Sequence, residues 1–177
     1  MLRGVNVGGH NMIKMDALRA LYESLKLRNP QTYIQSGNIV FQTEASDLPK
    51  LAKKIEDAIK RQFGFRPPVI LRTASELRDA IARNPFEKRP GIDPAKLLVA
   101  FLTADPAPEA RYKLLAIECE PEELRFSGRE LYIYFPNGQG RAALKWAHVD
   151  KALKLAYTGR NWNSVTKLLE IAEGFGA

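Results

Sequence analysis

The sequence predicts an α+β fold built from two similar halves with antiparallel sheets, followed by an extra C-terminal helix. Three observations predict it. Short β-rich runs alternate with amphipathic helical stretches in the order β-α-β-β-α. That order occurs twice. Each copy carries a hairpin whose tip reads Ser-Gly-polar, at Ser36-Gly37-Asn38 and at Ser127-Gly128-Arg129. This is the ferredoxin-like order of elements.

In the first half, Met1 to Val5 reads as a short strand, and Asn6-Val7-Gly8-Gly9-His10-Asn11 as a loop. Met15, Leu18, Leu21, Tyr22 and Leu25 recur at helical spacing, so a helix is expected over about 15–26, broken by Asn29-Pro30. Thr32–Gln35 and Ile39–Gln42 form the first hairpin. Leu48, Leu51, Ala52, Ile55, Ile59 and Phe63 define a second helix, with Asp47 as its cap and Gly64 as its stop. Pro67-Pro68 lead into a strand at Val69–Arg72, and a short helix follows near Ser75–Arg83, with Thr73 to Glu76 at capping-box spacing.

Asn84-Pro85-Phe86 ends that helix. The boundaries are therefore a first half at 1–86, a linker at 87–95 rich in Pro and Gly, and a second half at 96–177. The second half reads as a strand at Lys96–Thr103, a helix at Pro106–Ile117 and a hairpin of Leu124–Phe126 with Leu131–Phe135. A helical segment from about Arg141 to Tyr157 follows, then a break at Thr158-Gly159-Arg160 and a last helix carrying Val165, Leu168, Leu169 and Ala172.

Composition narrows the function classes. The 177 residues are 45% hydrophobic and 27% charged, ordinary globular usage. The single cysteine, Cys119, excludes an internal disulfide and fits a reducing compartment. No apolar run approaches the roughly 18–20 residues of a membrane span, and the opening lacks the apolar core of a signal peptide. A cytoplasmic location without membrane contact is expected. The net charge of +7 is uneven: residues 1–88 carry 15 Lys/Arg against 9 Asp/Glu, and residues 89–177 carry 12 against 11. A basic first half points to an anionic partner, a small phosphorylated molecule or nucleic acid. The bland alternative is solubility, with Lys50, Lys53, Lys54, Lys60 and Arg61 as a wet helix face.

The topology gathers one polar cluster. Strands one and two run the same way and strand three returns, so the loop after strand one and the first hairpin tip share an end of the sheet. Arg3, Asn6, Gly8, Gly9 and Asn11 then lie near Gln35, Ser36, Gly37 and Asn38. The next helix points its N-terminal amides there, with Lys14 beside it, an arrangement suited to an anion. The competing reading is that these glycines and asparagines only shape turns. Gly8-Gly9 has neither dinucleotide-fingerprint nor phosphate-loop spacing, and no cofactor is implied. A second cluster, Arg160-Asn161-Trp162-Asn163, precedes the last helix. Asn161 or Asn163 caps that helix, Trp162 packs or stacks on a base, and Arg160 grips an anionic group or pairs with a carboxylate.

Enzyme constellations are sparse. His10 and His148 lie in different halves, and no His/Cys pair has metal-ligand spacing. Cys119 sits between Glu118 and Glu120, which oppose a thiolate.

Several runs carry a family resemblance: Leu2-Arg3-Gly4-Val5-Asn6-Val7-Gly8-Gly9, Met15 and Leu18, Thr32–Asn38, Phe63-Gly64-Phe65, Asn84-Pro85-Phe86, and Arg160–Asn163 with Val165. With these the chain resembles the bacterial family called domain of unknown function 1697, over nearly its whole length. The resemblance implies a duplicated ferredoxin-like fold and brings no assigned activity or catalytic residue. Two features depart from the family pattern. Only Met1 precedes Leu2 where relatives have several apolar residues, so the native start is expected upstream. Arg141-Ala142-Ala143-Leu144 stands where relatives tend to show Ser-Lys-Leu.

Three functions are compatible with these features. The first is a binding module for a phosphorylated or otherwise anionic ligand, nucleotide or nucleic acid included. The second is an enzyme acting on a small phosphorylated metabolite, with His10 or Ser36 near the reacting group. The third is an interaction protein that oligomerises through a sheet edge or face.

Overall fold

The computed structural model describes residues 1–175. It is a mixed α+β structure of two compact units: Met1–Ala74 with the residues from Leu168 onward, and Ser75–Lys167. The segment 87–95 lies inside the second unit.

The first unit holds α1 (Met15–Ser24), β1 (Arg28–Tyr33), β2 (Asn38–Gln42) and α2 (Leu48–Phe63). β1 and β2 form a two-stranded antiparallel sheet. α2 follows its local signals closely. The Asp47 side chain accepts from Lys50 N at 2.9 Å, and Gly64 closes the helix at φ 83°. Leu51, Ile55, Ala58 and Ile59 bury its inner face beside Leu18, Leu21 and Tyr22 of α1 and Ile39 of β2. Ile55 and Ile59 are fully buried, each worth roughly 1.5–3 kcal/mol.

Three expectations for this unit are corrected. Met1–Val5 is not a regular strand, nor is Val69–Arg72. They meet in one isolated bridge, Leu2 with Val69. Pro67 and Pro68 lack N–H donors, and Gly4 and Asn6 leave extended geometry at φ 67° and 56°, so no ladder propagates. α1 stops at Ser24 because Lys26 takes a left-handed conformation. Its N–H reaches Glu23 O, and Leu27 N reaches Tyr22 O, the pair of bonds that closes a Schellman motif. Asn29-Pro30 does not end that helix. It lies within β1, at an irregularity in register between Arg28 and Gln31, where a proline is tolerated.

The second unit begins with α3 (Ala74–Ala82), then β3 (Leu97–Leu102), α4 (Pro108–Leu115), β4 (Glu123–Ser127), β5 (Glu130–Tyr134), α5 (Trp146–Leu153) and β6 (Tyr157–Asn161). α6 (Trp162–Gly174) is the expected C-terminal helix. The four strands form an antiparallel sheet in the order β4-β5-β3-β6. β3 and β5 are buried at every position, which is why Leu97–Leu102 reads as an unbroken apolar run. One face packs Leu98, Ala100, Leu102, Leu131 and Ile133 with Leu114 of α4 and Val149 of α5. On the other, the Tyr132 hydroxyl donates to Ala80 O of α3 at 2.6 Å.

The helical expectation over 141–157 is also corrected. A 3-10 turn at Gln139–Arg141 precedes α5, and Tyr157–Asn161 is a sheet strand, so Thr158-Gly159-Arg160 continues structure where a break was expected. The two sheets differ in size, two strands against four.

Candidate binding loop and hairpin turn

Val5 and Ile13 are buried in the first core and anchor the two ends of the loop between them. The chain reverses through a tight Gly8-Gly9 turn closed by His10 N to Val7 O at 3.0 Å, with both glycines left-handed at φ 58° and 78°. Asn6 and Asn11 are left-handed as well, at 56° and 52°, a region asparagine tolerates better than other side chains. The loop is held by its own amides. Asn6 Oδ1 accepts from Ile13 N at 2.8 Å, and Asn6 Nδ2 donates to Ile13 O at 3.0 Å and to Gln35 O at 2.8 Å. Asn11 Nδ2 donates to Gly4 O at 3.1 Å. Leu2 N donates to Gly37 O at 2.9 Å.

The root of the loop and the hairpin turn are thus cross-linked side by side, by hydrogen bonds from Asn6 and Leu2 and without the strand pairing expected from the sequence. The side chains of Asn6 and Asn38, however, turn inward. Both Nδ2 hydrogens of Asn6 serve the chain, and Asn38 is fully buried with its Nδ2 on Ser36 Oγ at 2.9 Å. The candidate residues exposed to solvent are Gly8, Gly9, His10, Asn11, Lys14 and Gln35, while Arg3 and Ser36 are half-buried. Lys14 precedes α1 with extended backbone and no side-chain cap, and Asp16 in the first turn pairs with Arg19. Arg19 also donates to Thr32 Oγ1 at 2.6 Å.

Three exposed apolar side chains on the same two segments went unnoticed in the sequence: Val7 (63% exposed), Met12 (62%) and Ile34 (52%). Ile34 is left-handed at φ 50°, a strained state for a β-branched residue. The only sequence signal for these positions is an apolar residue inside a polar turn.

Arg160, Asn161, Trp162 and Asn163 belong to the second unit. Arg160 stands opposite Val99 in the sheet, is 7% exposed, and donates through Nη1 to Thr158 Oγ1 and Gly159 O, each at 2.8 Å. Burial pushes its pKa down to about 10. Asn161 caps α6: its Oδ1 accepts from Asn163 N at 3.0 Å, and its Nδ2 holds Ala95 O at 2.8 Å. Trp162 is half-buried.

Among the described residues, no group of three or more His, Cys, Asp or Glu is arranged to hold a metal ion. No described helix is long and apolar enough to cross a membrane. Glu122 is buried, and its Oε2 accepts from Ala143 N and Leu144 N at 2.9 and 3.3 Å, fixing the segment at Arg141–Leu144. Cys119 is buried, and its Sγ reaches Glu122 O at 3.8 Å. Desolvation first, then Glu122 and Glu120, raise the thiol pKa. Native protein at neutral pH should therefore react slowly with a thiol reagent, the rate climbing only in alkali or on unfolding. Labelling at the speed of a free thiol at pH 7 would contradict this environment.

Comparison with curated proteins gives no match. Among solved structures, the conserved bacterial protein SP0830 from Streptococcus pneumoniae shares the fold. Its TM-score is 0.71 at 22% identity, over 97% of this chain and 96% of that one. Residues 1–132 match the family described as protein of unknown function (DUF1697), a stretch that takes in the loop, the turn, α2 and most of the second sheet, and the chain belongs to that family.

Proposed function

We propose that the protein is a binding module that takes an anionic ligand of the phosphate class on the surface made by residues 7–14 and the turn at 34–37. The observation that carries this reading is the start of α1. Its first-turn amides have no side-chain cap, exposed Lys14 adjoins them, and a glycine turn that a ligand can approach closely lies just before them in the chain. A helix N-terminus and an ammonium both favour an anion. The Asn6 cross-link supports the reading further, because a surface already fixed loses little entropy on binding. A second reading, contact with a protein, draws on exposed Val7, Met12 and Ile34.

We further propose that the two units are copies of one ancestral β-α-β-β-α unit. Its support is the α-β-β-α order common to α1-β1-β2-α2 and α4-β4-β5-α5, and the left-handed glycine at both hairpin turns, Gly37 and Gly128.

The test is a two-dimensional NMR titration of the full chain with inorganic phosphate and then a nucleoside triphosphate. Amide shifts are expected at Gly8, Gly9 and Lys14–Ala17. Lys14→Gln should weaken binding about tenfold, in keeping with one lost charge-assisted bond. If these amides stay still while Ile34→Asn relieves self-association, the protein-contact reading replaces the anionic one.

A further inference from the structure

The outer face of α2 carries the most concentrated charge in the first unit. Lys50, Lys53, Lys54, Lys60 and Arg61 are all exposed. At about 100° per residue these five fall within an arc of about 120°, opposite buried Leu51, Ile55 and Ile59. The helix has two carboxylates, and both are bound elsewhere. Glu56 Oε1 accepts from Val69 N at 3.0 Å, and its Oε2 lies 3.2 Å from Arg66 Nε. Asp57 Oδ1 lies 3.1 Å from Arg66 Nη2. Arg66 therefore neutralises the acids of α2 from outside the helix. Among the described residues, none of the five cations has an ion pair.

We infer that this face is a docking surface for the phosphate backbone of a nucleic acid, read without regard to sequence. Charge spacing selects the partner. From residue 50 to residue 61 the helix rises about 16 Å, with three cations at 50–54 and two at 60–61 about 9 Å further on, so the row averages one positive charge per roughly 3–4 Å. One strand of a duplex offers one phosphate per about 3.4 Å of axis. An anionic membrane is disfavoured because a helix that binds lipid inserts its apolar face, and here that face is consumed by the core. No aromatic side chain stands among the five to stack on a base, which leaves backbone contact. This surface is independent of the loop surface around Lys14, and either can fail alone.

The experiment is fluorescence anisotropy of the full chain with a labelled 20-base-pair duplex between 20 and 200 mM salt. Three to five phosphate contacts predict a slope of log K against log salt of about −3 to −4.5. Neutralising Lys53, Lys54 and Lys60 to Gln should flatten that slope by about 2.7 and lower affinity at 50 mM salt at least tenfold. Neutralising Lys26, Lys88 and Lys151 to Gln makes the same change in net charge elsewhere and should leave the slope nearly unchanged. Because all six positions are exposed, the melting temperature should hold in both triple variants, and circular dichroism verifies that. Equal losses from the two triples would reduce the effect to net charge and overturn the assignment. So would absence of binding at 20 mM salt, or stronger binding to phosphatidylserine vesicles than to the duplex. Loss of duplex binding in Lys14→Gln but not in the α2 triple would also overturn it, while leaving the loop reading intact.

Discussion

Gly37→Ala is expected to destabilise the protein by about 2–4 kcal/mol, from two causes that add. Gly37 is left-handed at φ 75°, where any Cβ meets its own backbone at a cost of about 1–2 kcal/mol. The new Cβ would also stand 2.8 Å from Leu2 Cβ and 3.4 Å from its Cγ and Cδ1. Leu2 Cβ is fixed by its backbone, and no rotamer moves it away. Leu2 is fully buried, its N–H bonds to Gly37 O, and its other side bridges Val69, so relief requires shifting backbone. Gly9→Ala provides the comparison. It has the same left-handed geometry, φ 78°, but nothing within 4 Å of the added carbon, so it should cost only the backbone part. Urea unfolding of both variants measures the contact as their difference. Equal losses would mean that Leu2 and the hairpin turn do not press on one another. Because this contact joins the N-terminal segment to the turn, Gly37→Ala should also weaken phosphate binding at the loop, whereas Gly9→Ala acts on the loop alone.

Where the sequence could be read, the signals were local. α2 announces itself by apolar spacing, an aspartate before it and a glycine after it, and all three act as written. The hairpin at Ser127–Glu130 is equally direct, with Gly128 left-handed at φ 57° in its two-residue turn. The failures have tertiary causes. Thr158-Gly159-Arg160 looks like a helix breaker, yet Gly159 pairs with Ala100 inside the sheet, where a Cβ would come 3.1 Å from Leu98 Cδ2. That glycine permits a close approach that only the partner strand reveals. Lys26 ends α1 from a conformation usually left to glycine, so composition gives no stop signal there. Met1–Val5 has the burial of a strand without its ladder.

The candidate site shows the same division. Its two segments do lie together, but through Asn6 and Leu2 hydrogen bonds and not through the strand from which their adjacency was argued. Which way Asn6, Asn11 and Asn38 point was not legible, since an asparagine that builds a turn and one that binds a ligand are the same letter. Arg160 was expected just before the cap of the last helix, gripping an anionic group or pairing with a carboxylate. The strand that contains it was not foreseen, and that strand turns the guanidinium into the sheet.

Phe86→Ala should be among the most damaging single changes in the chain, at about 3–5 kcal/mol. In the sequence, Phe86 follows Asn84-Pro85 and reads as the last residue before a linker. In the structure it is fully buried. Its ring lies 6.1 Å from that of Tyr134 on β5, and the Arg125 guanidinium of β4 stands 4.9 Å above it. Asn84 Oδ1 accepts from Phe86 N at 3.0 Å and aims the residue inward. β5 is buried on both faces, and this ring covers part of one of them, so truncation opens a cavity in a rigid part of the sheet. Phe86→Leu, which keeps most of the volume, should lose about 1 kcal/mol, chiefly the ring contacts. A double-mutant cycle with Arg125→Ala isolates the cation–ring part, expected at about 0.5–1 kcal/mol for a partly exposed arginine. The readout is the urea midpoint with an unchanged m value, which assigns the loss to the folded state. A loss below about 1 kcal/mol for Phe86→Ala would show that the site collapses on truncation or that the ring is not part of the core. Phe86 would then be only the lead into the linker expected at 87–95.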